Sequence, residues 1–485
     1  MSTVALKAKK DSIHFLIAIV MGLLLLFTLQ PQEGLLSAIG VRAVAIIIPI
    51  IYLWITVNTH WVCLLLFALL VIGGVMPPMA IWPGALGHFT IMLILVYTAI
   101  CMCLSQNGVV EKVAVWFLTR PFVKGRPYAF MFMLFLSMMI LGLFMPNMPV
   151  MILYISFTLK ICDKIGVKKG DSLYTALFLG IFWASCVHSA AAPLAFGVIM
   201  IGMMAPLGYS VAMVQWLMAG IFFTFISIFF IMLGVRFHKP DVSPLLKLDI
   251  DELAKESPPL DSGGKIAGII MIGLLSFIMI PELFLMFGIF TDVSRWLVGL
   301  SPQVWGMLAI TVLCLVKNKD KGEPVMNFLS NLKDVPMSLL LFVAAVNIMA
   351  GPVTNPYTGI LPWLNSVVSP FVGGMSPTAI MILLLFLAMI QTSFMSNMVT
   401  MTMYFNLGLA LLADTYISIG AFGILAAFAA NFSFLTPAAS ASAPLWYEPG
   451  HITMANSFKT NCLFMVFSAI MLLILVVVVP LIVPA

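Results

Sequence analysis

The chain has 485 residues, of which 62% are hydrophobic and only 8% charged, and its mean hydropathy is +1.15. A water-soluble domain averages about 25% charged residues, so the composition excludes one and leaves a polytopic membrane protein. The net charge of +5 then marks cytoplasmic loops rather than a nucleic-acid partner.

Spans in a lipid bilayer are read as helices, because an open sheet cannot satisfy its backbone there. The first span, 14–30, follows Lys7, Lys9 and Lys10. No small-x-small cleavage site follows it, so a retained helix with a cytoplasmic N-terminus is expected. Spans at 39–57, 61–80 and 89–106 come next. Residues 108–121 carry Glu111, Lys112 and Arg120 among Val, Trp and Phe. They read either as an interfacial amphipathic helix or as a polar-flanked piece of the preceding span.

Residues 127–159 are basic at both ends, with Arg120, Lys124 and Arg126 before and Lys160, Lys164, Lys168 and Lys169 after. Both ends should therefore be cytoplasmic. The run breaks at Met145-Pro146-Asn147-Met148-Pro149, which leaves a second leg of 12 residues, 148–159. At 1.5 Å per residue that leg is about 18 Å long, short of a hydrocarbon core of about 30 Å. A re-entrant hairpin with Asn147 at its tip is expected. Residues 172–204 then cross outward with an interruption around 187–193, and 213–235 returns. Residues 236–265, with Pro240, Pro244, Pro258 and Pro259, form the long polar stretch expected to be a cytoplasmic linker between halves 1–235 and 266–485.

In the second half, spans at 266–287 and 303–316 precede a basic loop, 317–333, and a span at 336–350. No Lys or Arg then occurs until Lys459. Within that gap lies 377–412, whose flanks, uncharged apart from Asp414, suit a hairpin entered from outside. A broken helix, 417–447, leads inward to Glu448, His451 and Lys459, and a last span, 461–483, leaves the C-terminus extracytoplasmic. The expected fold class is an all-α polytopic membrane protein, with about eleven transmembrane helices plus two re-entrant hairpins in two inverted-topology repeats. Its compact loops fit a bacterial inner membrane. Seven cysteines are scattered, with Cys101-x-Cys103 the one close pair, and read as small apolar residues rather than disulfide or metal sites.

An internal duplication supports the repeat reading. Laid over 389–404 without gaps, residues 139–154 match at eight of sixteen positions, including Asn147 on Asn397 and Tyr154 on Tyr404. Pro127 also falls on Pro377. After each copy, Ser189-Ala-Ala-Ala-Pro-Leu194 and Ser440-Ala-Ser-Ala-Pro-Leu445 agree at five of six positions. In a transporter built from repeats, the site lies where such discontinuous helices meet.

No Asp, Glu, Lys or Arg stands in the hairpin cores or at the breaks. That disfavours an intramembrane carboxylate relay and excludes an anion held there by a buried arginine. Hydroxyl, amide and backbone groups remain, which suit Na⁺ and an anion held by donors and helix dipoles. Asn147 and Asn397 either form this site with Ser189 and Ser440 or simply cap their hairpin turns. His188, the one ionisable group beside a break, either binds a carboxylate, carries a proton, or rests neutral against a carbonyl. Met138, Met139, Met145, Met148 and Met151 read as packing.

With these features the chain resembles the divalent anion/sodium symporter family of dicarboxylate, citrate and sulfate transporters, over nearly its whole length. That family carries Ser-Asn-Thr at each hairpin tip, where this chain has Pro146-Asn147-Met148 and Ser396-Asn397-Met398. The resemblance implies substrate contacts at Asn147, Met148, Ser396, Asn397 and Met398. It also implies contacts at Ser189 and Ser440, and at His188, which replaces a family glycine. Sodium would be coordinated at Asn147 and Asn397, and a second ion by Thr392 with the carbonyls of Met395 and Ala439. A homodimer and an elevator-type movement of the hairpins across a fixed scaffold are further implications. The family's two threonines are methionine here, and Gly142 stands where the family often has a hydroxyl. These departures imply a substrate that is less polar, singly charged or held through His188.

The expected function is a secondary active transporter for a small organic anion such as a carboxylate, coupled to Na⁺. The alternative is a proton-coupled carrier or exchanger using His188. A receptor-like or structural membrane protein is a third reading. An enzyme is not expected, since no nucleophile–base pair or metal cluster is visible.

Overall fold

The computed structural model describes residues 3–145, 147–257, 259–333, 335, 337–436, 444–447 and 449–484, with side chains from residue 10 onward except at 256 and 444. The first half contains α1 (Thr3–Thr28), α2 (Ala38–Thr56), α3 (Trp61–Ile72), α4 (Pro78–Gly84), α5 (Phe89–Gln106) and α6 (Val109–Leu118). It continues with α7 (Pro127–Gly142), α8 (Asn147–Ile165), α9 (Ser172–Ala191), α10 (Val198–Met204) and α11 (Met213–Phe237). A short helix, α12 (Ile250–Glu256), lies in the connecting stretch. The second half contains α13 (Ser262–Met286), α14 (Thr291–Gly299), α15 (Pro302–Leu315), α16 (Phe328–Leu332), α17 (Met337–Thr354) and α18 (Ile360–Val372). It ends with α19 (Pro377–Gln391), α20 (Asn397–Leu412), α21 (Ile419–Ala429), α22 (Pro444–Tyr447) and α23 (Met454–Ile482).

The chain is an all-helical integral membrane protein. Among the described residues, eight helical stretches are long and apolar enough to cross a bilayer. Two bent pairs, α14–α15 at 72° and α18–α19 at 96°, raise the number to ten if each pair is one span. The expected eleven crossings include shorter helices, such as the 12-residue α3.

Proline sets the hairpin starts. Pro127 and Pro377 open α7 and α19, where a missing N–H costs nothing and the fixed φ favours the first turn. Both hairpins double back. Lys124, before α7, pairs with Asp251, while Lys164, near the end of α8, lies 3.6 Å from Glu252. Neighbouring residues of α12 thus touch both ends of the first hairpin. In the second, Thr378 Oγ1 and Tyr416 Oη are 2.9 Å apart. Each hairpin is also clamped between its legs by a duplicated tyrosine. Tyr154 donates to Ser137 Oγ at 2.7 Å, and Tyr404 to Gln391 Oε1 at 2.5 Å.

Two sequence expectations change. The second leg of the first hairpin runs through Ile165, 19 residues rather than 12. At about 28 Å it is nearly bilayer-long, so its length does not by itself mark a re-entrant leg. The polar stretch 236–265 is not merely a linker, because Leu245, Ile250 and Leu253 are buried.

Each hairpin is preceded by a surface helix that starts after a left-handed glycine. Gly108 at φ 72° leads into α6, and Gly359 at φ 71° into α18. Residues other than glycine rarely adopt that backbone. No helix was expected at 360–372, because it lacks the charges that mark α6.

Discontinuous backbone sits deep in the protein. Every residue of the apolar window of α9 is buried. Pro193 ends this helix by removing an N–H and forcing Ala192 into an extended conformation (φ −70°, ψ 115°). Such backbone survives at membrane depth when protein encloses it. In the second half the chain leaves the helix earlier, after Ala429, and residues 430–434 are non-helical and buried. Both departures pack on one face of α11. Trp216 Nε1 donates to Ala190 O at 3.2 Å, and a Cβ on Gly220 would lie 2.3 Å from Ala191 O. Phe223 stacks on Phe428 with ring centres 4.4 Å apart and meets Phe432 edge-on at 5.7 Å.

Candidate functional site

The turn between α19 and α20 carries a cluster of oxygens. Thr392 is fully buried, and its hydroxyl faces two acceptors, Ala430 O and, at 3.2 Å, Asn397 Oδ1. One hydroxyl hydrogen satisfies one of them. Asn397 Nδ2 donates to Asn431 Oδ1 at 3.1 Å, and Asn431 Nδ2 donates to Ala427 O at 2.8 Å. Beside them the Ser393 hydroxyl reaches Phe432 O at 3.5 Å, and Thr436 donates to Ser393 O. The early unwinding after Ala429 is what frees these carbonyls from helix hydrogen bonds. The cluster has more acceptors than donors and no fixed charge. This chemistry fits a hard monovalent cation, which takes oxygen ligands.

The first hairpin is different at the same positions. Gly142 stands where Thr392 does, and Leu143 where Ser393 does. Neither supplies a hydroxyl. The space is taken by the His188 ring from α9: a Cβ on Gly142 would lie 2.1 Å from His188 Nδ1 and 2.2 Å from Cγ. His188 is fully buried, and neither ring nitrogen has a hydrogen-bond partner. Asn147 Oδ1, at the start of α8, is also buried and unpartnered. Unsatisfied buried groups are costly, so a bound group that pairs with these atoms would stabilise the cluster. It suits a group that exchanges hydrogen bonds with an imidazole and an amide, and among the described residues it lacks the oxygen set of a cation site.

The other expected residues fall around these two tips. Ser189 is buried one residue beyond His188. Ser396 is the N-cap residue of α20, with its side chain free of capping, and Met398 is partly buried against the core. Met148 is 46% exposed, in contrast to the buried Met138, Met139, Met145 and Met151. Met395 lies in the α19–α20 turn with a buried side chain. Ser440 and Ala439, also expected at the site, lie outside the described residues.

Several neighbours were not anticipated. Asn431 bonds to Asn397 yet lies outside the duplicated motifs. On α5, Tyr97, Thr98 and Cys101 face Phe144, Met145, Ala192 and Leu194 across a small cavity, and the Tyr97 hydroxyl is buried without a partner. In the second half, 250 residues on from Tyr97 in sequence, Asn347 on α17 donates to Thr90 at 2.8 Å while its Oδ1 stays unpartnered. The signal available in the sequence was that Tyr97 and Asn347 are polar residues spaced like Asn147 and Asn397. Glu282 caps α11 by accepting from Val214 N at 2.8 Å.

Comparison with protein-family models and with curated proteins returns no match. Among solved structures, the chain is similar to the YdaH transporter of Alcanivorax borkumensis, described as having an unusual topology. The two are 13% identical, the alignment covers 98% of this chain and 97% of that one, and the TM-score is 0.51. The likeness extends over nearly the full length of both chains and is one of fold. Among the described residues no group of three His, Cys, Asp or Glu could hold a metal ion.

Proposed function

We propose that the chain is a secondary active transporter that carries a small organic anion, such as a carboxylate, coupled to Na⁺. The oxygen cluster of Thr392, Asn397, Ala430 and Asn431 is the observation that carries this reading. Those residues would hold the cation, whose charge then helps retain the anion beside it. Asn147, His188 and Ser189 offer the anion amide, imidazole and hydroxyl groups at the first hairpin, with Met148, Ser396 and Met398 at the tips and Ser440 from the second broken helix.

The duplicated order of surface helix, hairpin and broken helix supports two inverted repeats, in the manner of the divalent anion/sodium symporters. Hairpins and broken helices moving as one body against α5 and α17 describe an elevator-type cycle. A homodimer in a bacterial inner membrane, with the N-terminus cytoplasmic and the C-terminus outside, completes the proposal.

A second reading rests on His188. A fully buried imidazole with both nitrogens unpartnered suits a proton-coupled carrier or an anion exchanger. Uptake of labelled mono- and dicarboxylates into proteoliposomes, driven by either a Na⁺ or a proton gradient, tests both. Uptake that needs the Na⁺ gradient supports the leading reading. Uptake driven by protons or by internal anion alone supports the second, and no uptake of any anion under either gradient removes both.

A further inference from the structure

A crevice of about 550 Å³ opens between α1, α2 and α3, away from the hairpins. Its walls are apolar, including Phe15, Gly22, Leu26, Pro49 and Leu69, with one charged side chain, Arg42. Its long axis follows from the contacts of its walls. A Cβ on Gly22 would lie 3.0 Å from Ala45 O, and His14 meets Tyr52 at 2.8 Å, so α1 and α2 run antiparallel along it. Arg42 therefore stands at one end, and Leu53 and Phe15 at the other. From Arg42 to Leu53 the helix rises about 16 Å, half the hydrocarbon thickness of about 30 Å. The crevice is one leaflet deep.

Arg42 is held at its mouth. Nη1 donates to Gly73 O at 2.9 Å and Nε to Ala38 O at 3.4 Å. Gly74, at φ 62°, leaves room for the guanidinium, since a Cβ there would lie 3.0 Å from Nη1. No carboxylate among the described residues pairs with it. A guanidinium has five donors in a fork that matches a phosphate, so capacity remains beyond the two carbonyls. The outer surface of α1 stays apolar, with Leu16, Leu24 and Phe27 exposed by 62%, 59% and 74%.

We propose that this crevice binds one anionic phospholipid, its phosphate on Arg42 and an acyl chain lying between α1, α2 and α3. The depth of one leaflet and the single cation at the headgroup end select a lipid over a soluble anion. They also select it over a helix of a second copy, which would need a crevice spanning both leaflets.

Native mass spectrometry of the full chain in mild detergent, titrated with phosphatidylglycerol, tests this. Wild type should take up one lipid per chain, and Arg42→Gln should weaken the apparent Kd about tenfold or more, as loss of one charge-assisted contact implies. Leu69→Trp fills the crevice and leaves Arg42 in place, and it should lose the bound lipid as well. Equal lipid uptake by all three proteins overturns the proposal. So does competition by soluble glycerol phosphate at matched concentration, which would mark a free-anion site. Disulfide-linked dimers formed by Leu26→Cys alone would place a second copy in the crevice and also overturn it.

Discussion

The His188 ring occupies the place that a side chain on Gly142 would fill, with Nδ1 2.1 Å from where that Cβ would sit. The two residues depend on each other, and together they make the two hairpin tips chemically unequal. Gly142→Ala should force the ring or the hairpin to shift, at a cost of about 1–3 kcal/mol typical of overpacking. The melting temperature should fall, and the double variant Gly142→Ala/His188→Gly should recover part of the loss. A single variant as stable as wild type would mean the ring has another place to go.

Asn397 has a different weight. Asn397→Ala removes an acceptor from Thr392 and leaves Asn431 Oδ1 without its donor, a penalty of about 1–3 kcal/mol for a buried group. Coupled uptake should be abolished while expression and the oligomeric state measured by light scattering stay as in wild type. Retained uptake would remove the site from this hairpin.

Stability should fall as pH is lowered, through two titrating groups. His451 is buried against Tyr174 and Phe178 near Lys169, and burial first, then the Lys169 charge, lowers its pKa from the ordinary 6.5. The unfolded chain takes up the proton more readily, so this contribution is complete above about pH 6.5 and is lost as pH falls through the lower folded value. The Gly264 N–H, Asn318 and Lys321 hold Asp261 at about 2. Its contribution is complete above about pH 4 and is lost as pH falls toward the folded value. Melting curves of His451→Gln and Asp261→Asn should each flatten one window, and a variant with an unchanged profile would exclude that residue as the cause.

The α12 contacts act on the hairpin base more than on the fold. Asp251→Lys with Glu252→Lys should repel Lys124 and Lys164 and leave the melting temperature nearly unchanged, since exposed ion pairs contribute little. Faster hydrogen exchange at the end of α8 is the expected readout. Unchanged exchange there would mean that the buried Leu245, Ile250 and Leu253 alone hold the contact.

The sequence was legible where local chemistry is decisive. The helix starts at Pro127 and Pro377 and the break at Pro193 follow from the backbone limits of proline. The pairing of Asn147 with Asn397 follows from the duplication. What could not be read depends on three dimensions. The α18 helix carries no charge to mark its polar face, and Lys160 and Lys164 suggested an early end for α8 although the helix runs on past them. Asn431 and Tyr97 reach the site from outside the duplicated motifs. The exchange of a hydroxyl at 392 for a glycine at 142 acquires meaning only when a ring from another helix is found in the gap.

The most direct test compares the thermal stability of wild type and Thr392→Val in Na⁺ and in choline at equal ionic strength, with and without a panel of carboxylates. A ligand at 100 times its Kd stabilises by about 2.7 kcal/mol, enough to move the midpoint visibly. Wild type should melt higher in Na⁺, and higher still when one anion is added with Na⁺. Thr392→Val should lose the Na⁺ shift while its midpoint in choline stays close to that of wild type. A Na⁺ shift of equal size in both proteins, or none in either while an anion stabilises alone, would contradict a cation site at the second hairpin.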